Sequence, residues 1–120
     1  LDDVDYINMH ATSTPQGDFS ELKAVSKLFG DRKSLVVSGT KSMTGHLLGA
    51  AGAIEAILSV KALQNGIVPP TINTKNIQEE FKDSFYYPLE KSEQIDINYA
   101  LSNTFGFGGH IASILFAKVN

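Results

Sequence analysis

Apolar and polar positions follow two periods along the chain. Val4–Met9 is a short β-forming run with partial alternation and reads as a strand. A polar, hydroxyl-rich stretch follows from His10 to Asp18, held by Pro15 and Gly17. Leu22, Val25, Leu28 and Phe29 then recur at helical spacing, which predicts a helix over 19–29. Asp18 and Glu21 have the spacing of a capping box at its start, and Gly30 supplies its stop. After the turn 31–34, Leu35–Val37 reads as a second, buried strand. A run of small and apolar residues from Gly45 to Gln64 predicts a second helix, ended by Gly66. Leu47, Ala51, Ile54, Leu58 and Ala62 share one face of it, and Leu48, Gly52 and Glu55 a neighbouring one. Gly49 and Gly52 suggest that another element crosses closely there.

Beyond Gly66 the pattern weakens. Pro69-Pro70 forces extended backbone, and residues 71–95 are polar, with Asn73, Asn76 and Asp83 as turn formers. Phe81, Phe85 and Tyr86 are expected to pin this crossing to the core. Ile97–Ser102 and His110–Val119 read as third and fourth strands around the glycine-rich tip Phe105–Gly109, a hairpin. The order βαβα, then ββ, predicts an α/β fold with a mixed β-sheet packed by helices. Three loops, 10–18, 39–46 and 105–110, each follow a strand. If the strands are neighbours, these loops meet at one end of the sheet, where α/β sites form.

Composition narrows the classes. The chain has 120 residues, the size of a single domain over 1–120, with 42% apolar and 19% charged residues. The net charge of −3 and the lack of a basic stripe argue against a nucleic-acid partner. No apolar run approaches the length of a membrane span, and no secretory leader pattern is visible. The first residue is Leu1 rather than Met, which suggests that residues precede it. Cysteine is absent, so this chain contributes no disulfide, no Cys-based metal site and no Cys nucleophile.

Two histidines and a lysine carry the candidate chemistry. His10 ends a strand and opens a loop with three hydroxyl side chains, which fits a site rim or an ordinary polar loop with a surface histidine. His46, read on the first turn of the second helix, meets backbone N–H groups and a dipole that disfavour imidazolium. A neutral ring that donates a hydrogen bond and polarises a carbonyl is one outcome; a plain helix cap is the other. Lys41 is an active-site cation or a solvated loop lysine. Glu55 lies in an apolar surround, so it is either exposed or paired, and Lys41, the nearest cation before it in sequence, is the expected partner. The glycines 106, 108 and 109 exceed what a turn requires and let backbone approach a ligand. A phosphate loop is disfavoured, because no helix follows and the P-loop lysine is missing.

The segments His10–Asp18 (HATSTPQGD), Thr40–Glu55 (TKSMTGHLLGAAGAIE) and Ser102–Gly109 (SNTFGFGG) occur in order. Together they resemble the C-terminal part of the β-ketoacyl-acyl-carrier-protein synthases, most closely the elongating type II enzymes of dissociated fatty acid synthesis. The resemblance covers nearly the whole chain. It implies the C-terminal half of a thiolase-like fold, present incompletely, with the first strand and helix of that half before Leu1. It also implies a cytoplasmic homodimer that carries out a decarboxylating Claisen condensation. A cysteine in the other half holds the acyl chain as a thioester, and malonyl-carrier protein supplies the attacking carbanion after loss of carbon dioxide. By motif position His10 and His46 match the histidines that stabilise the enolate oxygen. Lys41 matches the active-site lysine and Glu55 its acidic partner. Thr12 and Thr14 match hydroxyls that contact the pantetheine arm. Phe107 matches the gating residue, with Gly108 beside it. The implied partner is acyl carrier protein, acyl- and malonyl-loaded. No metal and no resident cofactor is implied, since phosphopantetheine arrives on the carrier protein.

The chain departs from the family after Gly109, where His110-Ile111 replaces the common Thr-Asn. This bears on hydrogen bonding behind the gate. Ser13 between the two threonines argues against modular polyketide synthases, where glycine is usual. Two other readings stand beside the enzyme. One is a non-catalytic partner resembling a chain-length factor, which the residue at the upstream nucleophile position discriminates. The other is a free-standing module that binds carrier protein by itself, disfavoured because the small-residue helix looks made for burial against a partner.

Overall fold

A computed structural model describes residues 1–119. Strand β1 (Tyr6–Asn8) leads into helix α1 (Pro15–Phe29), strand β2 (Val36–Ser38) and a short helix α2 (Lys41–Thr44). A 3-10 turn at Leu48–Ala50 precedes helix α3 (Ala51–Asn65). Strands β3 (Ile67–Val68) and β4 (Glu93–Gln94) form a small antiparallel pair. The hairpin β5 (Tyr99–Gly106) and β6 (His110–Ala117) ends the described fold. The main sheet has the order β2-β1-β5-β6, with β1 parallel to both neighbours and β6 antiparallel to β5. The mixed α/β architecture expected from the element order is therefore the one found.

Alternation along the short strands sends neighbouring residues to opposite faces. Ile7, Met9 and Val37 pack with Leu22 and Val25 of α1, and Phe81 and Phe85 close this core. On the other face Tyr6, Val36 and Ala100 pack with Ala62 and Leu63 of α3. The sheet is thus the middle of three layers, and the C-terminal ends of β1, β2 and β5 point the same way.

Several boundaries differ from the sequence expectation. Helix α1 starts at Pro15, with Thr14 as its N-cap residue, because proline is preorganised for the first helical position. Asp18 instead turns back to accept the Ser13 N–H at 3.1 Å. Leu28 faces solvent, and Glu21 joins Leu22 and Val25 on the buried side. The predicted helix over 45–64 is broken. Gly45 at φ 72° ends α2, and Leu48 at φ 52° interrupts the chain before α3 begins. The buried face of α3 is Ala51, Glu55, Ser59, Ala62 and Leu63, offset from the predicted one. The close crossing occurs at Gly52 and not at Gly49, and the crossing element is strand β5. A Cβ on Gly52 would lie 2.8 Å from Thr104 Oγ1. In the long crossing Phe81 and Phe85 are buried, while the Tyr86 ring is exposed: its backbone pairs with Val36, and its hydroxyl donates to Glu93. Strand β6 forms the sheet edge, and Ile111, Ile114 and Leu115 are exposed along it.

Candidate active site

The site is built where the ends of β1, β2 and β5 converge. β1 delivers His10 to a cleft of about 800 Å³, lined by Thr12, Thr14, His46, Phe105 and Phe107 among others. The His10 and His46 rings meet edge to face, centroids 5.4 Å apart, and Phe105 packs on His10 at 5.3 Å. His10 is 8% exposed. Burial, the nearby Lys41 charge and His46 together lower its pKa to about 4, so the ring is neutral at physiological pH. Its Nδ1 has no hydrogen-bond partner among the described residues.

His46 does not sit on the first turn of the long helix. It lies in the link between α2 and the 3-10 turn, where its Nδ1 accepts the Leu48 N–H at 3.1 Å. A ring nitrogen that accepts carries no proton, so in the neutral ring the hydrogen is on Nε2. What sets the ring's orientation is this local bond and not a helix dipole.

Lys41 opens α2 and pairs with Glu55 of α3, as the burial argument anticipated. The side chains are 5% and 2% exposed. Burial raises the Glu55 pKa, opposed by the Lys41 hydrogen bond and charge. Asn8 Nδ2 reaches the Glu55 carbonyl at 3.4 Å, and Thr40 Oγ1 donates to Asn8 Oδ1 at 3.3 Å. Lys41 borders a smaller adjoining cavity of about 240 Å³ with Thr12, Asp18 and His46, not the main cleft. Glu55 lines neither and acts from behind.

The hydroxyls of Thr12 and Thr14 are 3.1 Å apart. Gly17 belongs to the same corner, since a Cβ there would stand 2.4 Å from Thr14 Oγ1. Phe107, 96% exposed, stands at the hairpin tip on the cleft wall. Gly108 is one residue beyond that wall, in a left-handed conformation at φ 81°.

The residue that pattern reading missed is Glu21. Its Oε1 accepts the His10 N–H at 2.9 Å and Asn103 Nδ2–H at 3.1 Å, and its Oε2 accepts the Ala11 N–H at 3.0 Å. It does not close a capping box; it holds the backbone that carries His10, where Ala11 has φ 35°. The available signal was a carboxylate on the apolar stripe of α1, one turn before Val25. The crossing segment also supports the site. Thr71 Oγ1 accepts the Gly39 N–H at 2.9 Å, and Ser42 Oγ accepts the Ile72 N–H at 2.9 Å, so the turn leading into Lys41 is anchored from both sides.

With this geometry in view, the comparisons with known proteins agree on one family. The family model described as "Beta-ketoacyl synthase, C-terminal domain" matches residues 1–75, and the chain belongs to that family. It is 48% identical over 119 residues to a mitochondrial 3-oxoacyl-[acyl-carrier-protein] synthase of Arabidopsis thaliana, covering 97% of this chain and 26% of that protein. It is 49% identical over 118 residues to 3-oxoacyl-[acyl-carrier-protein] synthase 2 of Vibrio harveyi, covering 97% and 28%. The chain thus spans about a quarter of the length of the curated relatives it matches. Among solved structures it is similar to the ishigamide ketosynthase/chain length factor, with a TM-score of 0.91 and 27% identity over 99% of this chain and 29% of that one. It is also similar to a type II PKS acyl-carrier protein in complex with its ketosynthase, with a TM-score of 0.90 and 31% identity over 98% and 29%. The thiolase-like ketosynthase fold implied by the motifs is the one observed.

Proposed function

We propose that this chain supplies the histidine-lysine side of a condensing enzyme that elongates acyl chains. The reaction is a decarboxylating Claisen condensation between a malonyl thioester on acyl carrier protein and an acyl thioester on a cysteine outside this chain. The observation that carries the reading is the pair of imidazoles in edge contact on one cleft wall, His10 neutral and His46 with its Nε2–H left to donate. In the first step the bond between the malonyl methylene carbon and its carboxylate breaks. Carbon dioxide leaves, and the electron pair moves into an enolate whose oxygen takes hydrogen bonds from His10 and His46. In the second step the enolate carbon attacks the acyl thioester carbonyl. The cysteine thiolate is expelled and a 3-oxoacyl chain two carbons longer remains on the carrier protein. Donors preorganised around a developing oxyanion contribute about 10²–10³ in rate each.

Thr12 and Thr14 line the same cleft and suit the polar pantetheine arm, which enters with its carrier protein, so the chain needs no cofactor of its own. Phe107 and Gly108 form the mobile rim over the acyl thioester. Lys41, neutralised by Glu55, orients the turn before His46. The parent acts as a homodimer in the cytoplasm. Retention of His10, Lys41 and His46 together favours the enzyme over a non-catalytic partner. The test is carbon dioxide release from malonyl-carrier protein by the full-length protein and by its His46→Ala variant. A loss of at least about 10²-fold is expected; undiminished release would refute the role given to His46.

A further inference from the structure

Ser113 lies on the edge strand β6, directly opposite Asn103 of β5 in the ladder. It is not among the residues that line the cleft, and it lies outside the three motifs. Its hydroxyl donates to Asn103 Oδ1 at 2.8 Å. Asn103 is buried, and its Nδ2 donates to Glu21 Oε1. A carboxylate only accepts, so the amide must present its nitrogen to Glu21 and its oxygen to Ser113. Glu21 in turn accepts the N–H groups of His10 and Ala11. A continuous chain of hydrogen bonds therefore runs from the sheet edge, through β5 and α1, to the peptide that carries His10.

The geometry points to Ser113 as a positioning residue for His10, acting by fixing the direction of the Asn103 amide. Without the hydroxyl, Asn103 Oδ1 is left unpaired beside the sheet. The amide then has no reason to keep its nitrogen toward Glu21, and in the reversed direction its oxygen opposes the carboxylate. Glu21 responds by loosening its hold on the His10–Ala11 peptide. That peptide depends on the hold, because Ala11 is in a left-handed conformation that an L side chain disfavours. The effect is a displacement of the ring rather than a lost contact to substrate, so it belongs to turnover and not to binding.

This inference rests on the condensing-enzyme reading only for its kinetic arm. The experiment compares Ser113→Val with Ser113→Thr in the full-length protein. The two differ by a hydroxyl at nearly constant shape. Exchange of the peptide spanning 9–12, measured by mass spectrometry, reads the hold on His10 without reference to activity. Faster exchange in the valine variant is expected, with the threonine variant matching the parent. For carbon dioxide release, kcat should fall about five- to tenfold in the valine variant, the size of one lost hydrogen bond. KM for the malonyl thioester should stay within about twofold. Ser113→Ala, which removes the same hydroxyl without a β-branch, repeats both readouts if the valine variant melts early. Equal exchange and equal kcat in the valine and threonine variants would overturn the proposal, as would an equal loss in both. If the parent protein releases no carbon dioxide, the functional reading fails, and the exchange comparison alone decides the role of Ser113.

Discussion

The Lys41–Glu55 pair permits a sharp test of how this site is held together. Both side chains are almost wholly removed from solvent, and Glu55 Oε2 has no partner among the described residues. Removing one member of a buried pair leaves a charge without compensation, at a cost of about 3–5 kcal/mol. Against a domain stability of about 5–15 kcal/mol, either single change is severe. Glu55→Gln keeps an acceptor near the ammonium and should fall near the lower figure. Lys41→Met leaves a bare carboxylate and should fall near the upper one. The double variant removes both charges and should return to within about 1 kcal/mol of the parent, because replacing a buried pair by neutral groups of similar size is often neutral. The coupling energy from urea unfolding of the four proteins should therefore be about 7 kcal/mol. Acidity adds a second arm. Burial raises the Glu55 pKa above its unfolded value, so the folded state holds that proton more tightly, and the stability it confers is lost as pH rises through the folded pKa. Lys41→Met removes the charge that opposes this rise. Its deficit should then shrink on acidification, when Glu55 is buried neutral. Additive single effects, or a deficit in Lys41→Met that is constant with pH, would refute the reasoning.

Two further expectations follow from single positions. His10 has a folded pKa of about 4 against 6.5 unfolded, so between those values the unfolded chain binds more protons. Stability should fall by about 3 kcal/mol as pH drops through that window, and His10→Gln should flatten that part of the pH profile in urea titrations. At Gly52 an added methyl group meets Thr104 Oγ1 at 2.8 Å and Cγ2 at 3.2 Å. Gly52→Ala should cost about 1–2 kcal/mol by overpacking. Most of that cost should vanish in a Thr104→Ala background, measured by thermal melts of the four proteins.

The parts of the site that were legible in the sequence share a local cause. His10 ends an apolar run and Glu55 is a charge inside an apolar helix, so pattern and burial cost point to them directly, whereas His46 was singled out for a helix start that the structure places elsewhere. The pairing of Lys41 with Glu55 followed from electrostatics alone. Glu21 was misread because the spacing from Asp18 to Glu21 imitates a helix start, while the actual start is marked by Thr14-Pro15. The break between α2 and α3 was hidden because Gly45 and Leu48 adopt left-handed conformations within a stretch whose composition favours helix. The anchoring role of the crossing segment was hidden for a different reason. Thr71 and Tyr86 work through backbone pairing and a single hydroxyl, which leave no periodicity to read.

The parallel pairing of β1 with β5 has a consequence for how the site comes into being. Asp5, at the foot of β1, accepts backbone N–H groups at the start of β5 from 93 positions away in the chain. Everything between them, including both histidine loops' supporting helices, must be made first. The hydroxyl-rich loop after His10 is made before the wall it faces, which waits for Phe105, and Asn103 reaches Glu21 only once β5 is in place. Pairing of this kind carries a large loop-closure entropy and forms slowly. Closure of this end of the sheet therefore waits for strands β5 and β6, the last described elements of the fold.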